Sequence, residues 1–441
     1  MEKLQTNGFK VKGLRWWIIS LIGLATIINY IDRGAINFMW PYIYKDFGIA
    51  EADSKSTLAL ITTFFMIAYA IGQTITGKMM DAIGTRLGMA VSIVGWSISI
   101  ALHSLARSIL SFNIFRFLLG ISEAGNWPGA TKSNAEWFPP KERAIAQGIF
   151  GAGASIGGVV SAPVIAALFL AFGWKITFLL IGVLGFLWLI PWLWINKNTP
   201  DKHPWITPEE QAHIQGGQAL VQAAKAEAPA TVYTWKQLLN FKSTWGILSS
   251  RFFIDPVWWM FVTWLPTFLK EQYGFDMKQI GAFAWVPYFF AAVGGLAGGF
   301  YSSARIKRGV DAAKARKSAI TIGSVIMLLS LCVIAYYLEE LKDQPGMAIA
   351  CISATLFGFQ FLINNLQTLP GDYFHGKNVG TVAGMGGTTA VVGTLITTWM
   401  VPVITKVSYT SFFIMGALMV PIAWCCIMFI TSKKQFKQEN I

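Results

Sequence analysis

The stretch GKMMDAIGTRLG (Gly77–Gly88) lies between two long apolar runs, 57–77 and 87–106. It gathers Lys78, Asp81 and Arg86 between Gly77, Gly84 and Gly88. Charges and glycines so close together read as a tight polar connection between two hydrophobic helices. The same alternation continues in both directions. Charge-poor apolar runs are expected as spans over about 15–39, 57–77, 87–106, 109–131, 144–171 and 175–195, and again over 245–268, 280–303, 317–337, 346–369, 378–404 and 409–431. A membrane-crossing helix takes roughly 20 mostly apolar residues. In a chain of 441 residues, 54% are hydrophobic, which is enough for twelve such helices. Charged residues are 13%, about half of the roughly 25% usual in soluble domains. These values exclude a soluble globular enzyme, a disordered chain and a secreted disulfide scaffold. The expected fold is an all-α integral membrane protein with twelve transmembrane helices in two pseudo-symmetric six-helix bundles. Residues 1–195 form the first bundle, 196–244 a polar linker and 245–441 the second. Two similar halves are the footprint of a carrier built from repeats.

Net charge fixes the expected orientation. Lys and Arg number 35 against 22 Asp and Glu, a net +13. With the amino terminus in the cytoplasm, 24 of the 35 basic residues fall on the inner side, eight on the outer side and three inside spans. This is the positive-inside pattern, and it places both termini in the cytoplasm of a bacterium with the helices in its inner membrane. The whole surplus of positive charge lies on that inner face, so the basic balance is a topology signal and no nucleic-acid partner is expected. Cys332, Cys351, Cys425 and Cys426 all sit in apolar runs without metal-ligand spacing. They read as packing residues, and neither a metal nor a cofactor is expected. No cleavable signal peptide is evident, because the first apolar run is too long for one. In the linker, Thr207, Pro208 and Glu210 mark a helix start.

Charged side chains inside a span are costly and mark function by default. There are six: Asp32, Arg33, Arg116, Glu123, Arg251 and Asp255. Asn29 and Arg33 are four apart and share a face, with Tyr30 on its flank. Arg116 and Glu123 are two turns apart and point the same way, with Asn126 and Trp127 continuing near that face. A face of this kind lines a polar cavity or pairs with another helix, so a purely structural network locking spans 1 and 4 stays open as a reading. Arg251 and Asp255 are four apart, which also fits simple pairing. Asp32 and Glu123 are the candidate proton carriers, since burial and a neighbouring Arg pull a carboxylate in opposite directions. Arg33 and Arg116 suit an anionic substrate, because guanidinium matches carboxylate in a bidentate way. In span 10, Gln360, Asn364 and Gln367 place amides on one face, suited to hydroxyl groups or to binding a neighbouring helix. Tyr69 and Gln73 in span 2, and Trp259 in span 7, are further candidates for the binding surface, with simple packing the alternative for Trp259.

Gly77, Asp81, Gly84 and Arg86 resemble the gating loop of the major facilitator superfamily. The matching loop of the second half, GFYSSARIKRG (Gly299–Gly309), keeps the glycine and basic residues but has Ser303 at the acidic position. Within that superfamily the chain resembles the anion:cation symporters, through YIDR (Tyr30–Arg33), RFLLGISEAGNWPGA (Arg116–Ala130), EWFPPKERAIAQGIF (Glu136–Phe150) and DPVWWMFVTWLP (Asp255–Pro266). The resemblance extends to bacterial hexuronate transporters. It implies the major facilitator fold, an Asp81–Arg86 gate pair and proton coupling at Asp32 and Glu123. It also implies a substrate carboxylate at Arg33, an organising role for Arg116 and pocket roles for Tyr30 and Tyr69. Ala154 stands where relatives that carry aldonic acids have Gln, so hydroxyl recognition is expected to differ. The expected function is proton-coupled uptake of a hexuronate such as glucuronate or galacturonate by alternating access, by a monomer, with no catalytic residues. Another organic anion, such as an aldonate or a sialic-acid-like sugar, is the alternative. A polytopic enzyme is disfavoured because His103, His203, His213 and His375 are scattered. A sensor is disfavoured because the linker is shorter than a signalling domain of roughly 100 residues.

Overall fold

The computed structural model describes residues 10–139, 142–216, 233–374 and 377–431. These residues are almost entirely helical, and the described backbone holds no strand beyond a single bridge between Val11 and Ile206. The helices are α1 (Leu14–Ile43), α2 (Glu51–Leu102), α3 (Ile109–Glu123), α4 (Asn126–Trp137) and α5 (Arg143–Ile195). A linker helix α6 covers 208–216 and is followed by the short α7 (Trp235–Leu238). Then come α8 (Lys242–Tyr273), α9 (Met277–Phe283), α10 (Val286–Lys307), α11 (Ala312–Tyr337), α12 (Pro345–Tyr373), α13 (Lys377–Ile404) and α14 (Tyr409–Cys425).

Twelve crossings follow from lengths and breaks. Among the described residues, ten segments are long and apolar enough to span a bilayer. At 1.5 Å per residue, α2 runs about 78 Å, far more than one hydrocarbon thickness of about 30 Å. Its 52 residues are divided by Gly84 at φ 78°, ψ 166°, a conformation open to glycine and unfavourable for any other residue. The expected loop over 78–86 is therefore helical apart from one turned glycine. Gly173, at φ 71°, ψ 171°, divides the 53-residue α5 in the same way. In contrast, α3 and α4 are each shorter than a span and run on through Ala124 and Gly125 to make one crossing. With no water in hydrocarbon, every backbone group must be satisfied within the helix. The faces turned out to lipid carry exposed Leu110, Ile190, Phe300, Leu329 and Phe429.

The polar linker is docked rather than loose at its first part. Thr207 caps α6, with its Oγ1 accepting from the Glu210 amide at 3.3 Å. The Glu210 carboxylate does not turn back to complete a capping box. It accepts instead from the amides of Leu14 (3.0 Å) and Arg15 (3.1 Å) and from Arg15 Nη1 (2.7 Å). An acid at the open amides of a helix start satisfies orphan donors and complements the helix dipole. Arg15 also pairs with Glu142 at 2.9 Å, and His213 reaches the same carboxylate at 2.9 Å. Burial pushes the Glu142 carboxyl up, but hydrogen bonds from His213 and Arg15 outweigh it and hold the group below its usual range.

Packing divides the chain into two compact units. The first is Met1–Asp32, Ile67–Gly157 and Lys175–Pro229; the second is Arg33–Met66, Gly158–Trp174 and Ala230–Ile441. The second unit therefore contains one end of α1 and of α2 and the middle of α5, together with α7–α14. Inside it, Asn37 Nδ2 donates to the Val262 carbonyl (3.2 Å) and Tyr42 Oη to the Phe275 carbonyl (2.8 Å). Lys55 pairs with Glu271 (2.7 Å), which also accepts from Tyr409 Oη (2.7 Å). Lys270 donates to the Pro41 carbonyl and lies 4.2 Å from the Tyr42 ring centre. These contacts close the end of the second unit around the α1–α2 connection.

Candidate functional site

The first unit holds a buried ionic cluster. Asp32 on α1 and Glu123 on α3 are fully buried, and Arg116 on α3 is 2% exposed. Burial disfavours the Arg116 charge, and Glu123 and Asp32 both lie near enough to attract it. The two-turn spacing within α3 explains the Glu123 contribution, and α1 delivers Asp32 to the same centre. Asn126 Nδ2 donates to Thr26 Oγ1 at 3.1 Å, tying α4 to α1 one turn before Asn29. Both amide atoms of Asn29, Nε and Nη2 of Arg116 and Oδ1 of Asn126 are buried without a hydrogen bond. Buried polar groups are nearly always satisfied, so a group of exceptions in one place needs a reason. The cluster is a polar centre inside an apolar bundle. Tyr30, half-buried, packs its Cβ against Gly157 of α5. Tyr69 is half-buried on α2 and Gln73 is exposed there, flanking Gly72, which lies against Ile121 of α3.

Arg33 follows Asp32 directly but belongs to the second unit. Its guanidinium lies 5.6 Å from the centre of the Phe65 ring, a cation–π contact. Adjacent residues on a helix point about 100° apart, and the Arg33 side chain turns to Phe65 of α2.

The second unit carries the amides and tryptophans. Gln360 and Asn364 on α12 both face Gly295 of α10. Asn364 and Gln367 are exposed, whereas the neighbouring Asn365 is buried. Asn365 Nδ2 donates to the Gly298 carbonyl (3.2 Å) and the Phe361 carbonyl (3.0 Å), and its Oδ1 accepts from Arg316 at 3.5 Å. Asn365 therefore binds helix to helix, a role that the amide pattern of the sequence did not single out. Trp258 stacks on Phe359 at 5.3 Å and meets Tyr288 edge-on, while Trp259 is half-buried. Arg251 and Asp255 form a two-bond ion pair, Nε to Oδ2 at 3.0 Å and Nη2 to Oδ1 at 3.1 Å.

The gating loop departs from the expected pairing. Asp81 accepts from Lys132 of α4 at 2.8 Å, not from Arg86. Arg86 Nη2 instead donates to the Leu193 carbonyl at 3.4 Å. The turn at Gly84 separates the two side chains, and Lys132 also caps the Met80 carbonyl (2.7 Å). Next to it, Thr85 donates to Glu136 at 2.8 Å. Burial raises the Glu136 carboxyl above its usual range, against the lowering by Thr85 and Lys132. In the second unit, Arg316 of α11 pairs with Asp372 of α12 at 2.7 Å. The sequence does not single out Lys132 or Asp372, and Glu136 enters it only within EWFPPKERAIAQGIF.

A lipid-facing helical bundle with buried carboxylates, arginine and amides on inner faces defines a membrane carrier for a polar solute. The comparisons with known proteins agree. The chain belongs to the Major Facilitator Superfamily, whose family model matches residues 22–398. It is a multi-pass membrane transporter and not an enzyme. It is similar to the hexuronate transporter of Escherichia coli (strain K12), with 33% identity over 86% of this chain and 85% of that one. It is also 33% identical to the galacturonate transporter of Dickeya chrysanthemi, over 78% of this chain and 96% of that one. In three dimensions it matches the crystal structure of a D-xylose-proton symporter with a TM-score of 0.73, at 14% identity, over 95% of this chain and 99% of that one. That likeness concerns the fold.

Proposed function

We propose that the protein takes up a sugar acid, and most specifically a hexuronate such as glucuronate or galacturonate, together with protons, by alternating access. The observation that carries this reading is the buried Asp32–Arg116–Glu123 cluster. Two carboxylates around one arginine form a charge balance that a proton can tip. Protonation of Asp32 and Glu123 releases their hold on arginine, and the freed guanidinium charge, with Arg33 nearby in sequence, suits a carboxylate substrate. Energetics favour coupling. Inward movement of a monovalent anion works against the membrane potential by about 2.3 kcal/mol per 100 mV, and one accompanying proton removes that cost. The names of the relatives support the substrate class. The charge distribution supports placement in a bacterial inner membrane with both termini in the cytoplasm. Another organic anion, an aldonate or sialic-acid-like sugar, is the alternative substrate.

The test is uptake of labelled glucuronate and galacturonate by Asp32→Asn and Glu123→Gln, set against exchange with preloaded substrate. Exchange without net accumulation is expected in both variants. Accumulation against a gradient equal to that of the parent removes the proton roles.

A further inference from the structure

The Arg251–Asp255 pair has no part in the mechanism above, and its geometry is unlike that of a structural clamp. Both residues lie on one helix, α8, four apart. An ion pair within a helix joins no second helix, yet two charges in a membrane span carry a heavy desolvation cost. The pair is also incompletely used. Asp255 takes Nε and Nη2 of the guanidinium. A guanidinium has five N–H donors, and Nη1 makes no hydrogen bond among the described residues. That open edge points at Gly386 and Gly387 of α13. A Cβ at these positions would lie 3.7 and 3.9 Å from Nη1, and a Cβ at Gly384 would meet nothing within 4 Å. The side chains of Arg251 and Asp255 keep 15% and 12% exposure, with Arg251 half-buried and Asp255 buried beneath it. Trp259 lies one further turn along the same face of α8, half-buried. Three residues later, the Val262 carbonyl accepts from Asn37 of α1, so this face of α8 is the one turned towards α1 in the second unit.

We propose that Arg251 and Asp255 form a hydroxyl-reading subsite for the transported sugar acid, with Trp259 as its apolar wall. This rests on the sugar-acid reading above and adds a determinant of which sugar is chosen. The pair is neutral as a whole, so a second carboxylate would bring an uncompensated negative charge into a half-buried place, at a large cost. Neutral hydroxyl groups fit better. Nη1 donates to one hydroxyl oxygen, and a carboxylate oxygen of Asp255 accepts from the neighbouring hydroxyl. A donor and an acceptor held in one rigid pair suit two hydroxyl groups of one ring, and epimers that turn one hydroxyl away lose one of the two bonds. The glycines of α13 let the Arg251 side chain lie close to that helix, so a hydroxyl group reaches the guanidinium along its exposed edge.

The test uses the purified full-length protein in detergent and calorimetric titration. The probes are D-galacturonate, D-glucuronate and their deoxy analogues lacking the hydroxyl at C2, C3 or C4. In the parent, loss of the hydroxyl that is read should weaken binding roughly tenfold to a hundredfold, the usual weight of a hydrogen bond to a charged group. In Asp255→Asn and Arg251→Gln that ratio should fall towards one. Gly387→Ala leaves the ion pair in place but covers Nη1, so it should lower hexuronate affinity without lowering the melting temperature. This variant decides the matter if the other two do not fold. A hexuronate-to-deoxy ratio equal to the parent's in Gly387→Ala or Asp255→Asn, with only the melting temperature changed, makes the pair structural and overturns the proposal. If Arg33→Gln abolishes binding while the ratio in Asp255→Asn equals the parent's, the subsite alone is wrong. If the parent binds no hexuronate, the sugar-acid reading falls and takes the subsite with it.

Discussion

Two arginine–carboxylate groups, one in each packing unit, are built on opposite plans. In the first unit Arg116 is fully buried and answers to two acids, Glu123 two turns away on its own helix and Asp32 on another. Its Nε and Nη2 make no hydrogen bond. In the second unit Arg251 answers to one acid on the same helix turn, with two hydrogen bonds and partial exposure. The first arrangement is held by a field over distance and can be rebalanced by a proton. The second is locked locally and is insensitive to what other helices do. A movable charge balance suits coupling, and a fixed donor–acceptor pair suits recognition.

Removal of each cation tests the contrast. Arg116→Met leaves two buried acids without a cation, and loss of a buried partner costs about 3–5 kcal/mol. The expected result is a large drop in melting temperature, which a second change, Glu123→Gln, partly restores. Arg251→Met strands one acid, Asp255, with 12% of its side chain exposed, and should cost about 1–3 kcal/mol, with no rescue by Glu123→Gln. Equal losses would erase the distinction between the two groups. A smaller effect is expected at the closed end of the second unit. Lys55 and Glu271 are partly exposed, with side chains at 16% and 33%. Lys55→Met should therefore cost at most about 1 kcal/mol, and the exchange of the two charges (K55E with E271K) should recover it.

The smallest effect is a pH dependence at the linker. Burial lowers the His203 imidazole below its ordinary value of 6.5, outweighing its hydrogen bond to the Ile195 carbonyl (2.8 Å). Its Nδ1 accepts from the Trp205 amide at 3.1 Å, which requires the neutral ring. A folded value below the unfolded one means that the unfolded chain binds the proton first. The contribution is therefore complete above about pH 6.5 and is lost as pH falls through the lower folded value. Protease cleavage in the linker, followed from pH 7.5 to 5, should accelerate with acid in the parent and stay level in His203→Gln.

The spans were legible in the sequence because lipid imposes one rule on every crossing: long apolar runs with few charges. The breaks were not. Whether Gly77–Gly88 forms a loop or a kinked helix depends on the φ of Gly84 alone, and its flanking residues read alike in either case. The site was half legible. Cost inside the membrane singled out Asp32, Arg33, Arg116 and Glu123, and the structure joins three of them electrostatically. It sends Arg33 to Phe65 because neighbours on a helix diverge. Periodicity placed the amides of Gln360, Asn364 and Gln367 on one face, but the packing of α12 against α10 buries Asn365 between the helices. The Asp81–Lys132 pair was hidden because its partners are joined by the crossing of α2 and α4, which no local pattern encodes.

The most direct test of the central claim is proton flux in liposomes containing the purified protein, with a pH-sensitive dye inside. Addition of glucuronate or galacturonate outside should acidify the lumen, and the signal should disappear in Glu123→Gln while exchange of labelled substrate continues. Hexuronate entry with no proton movement in the parent, or an undiminished signal in Glu123→Gln, would contradict the account.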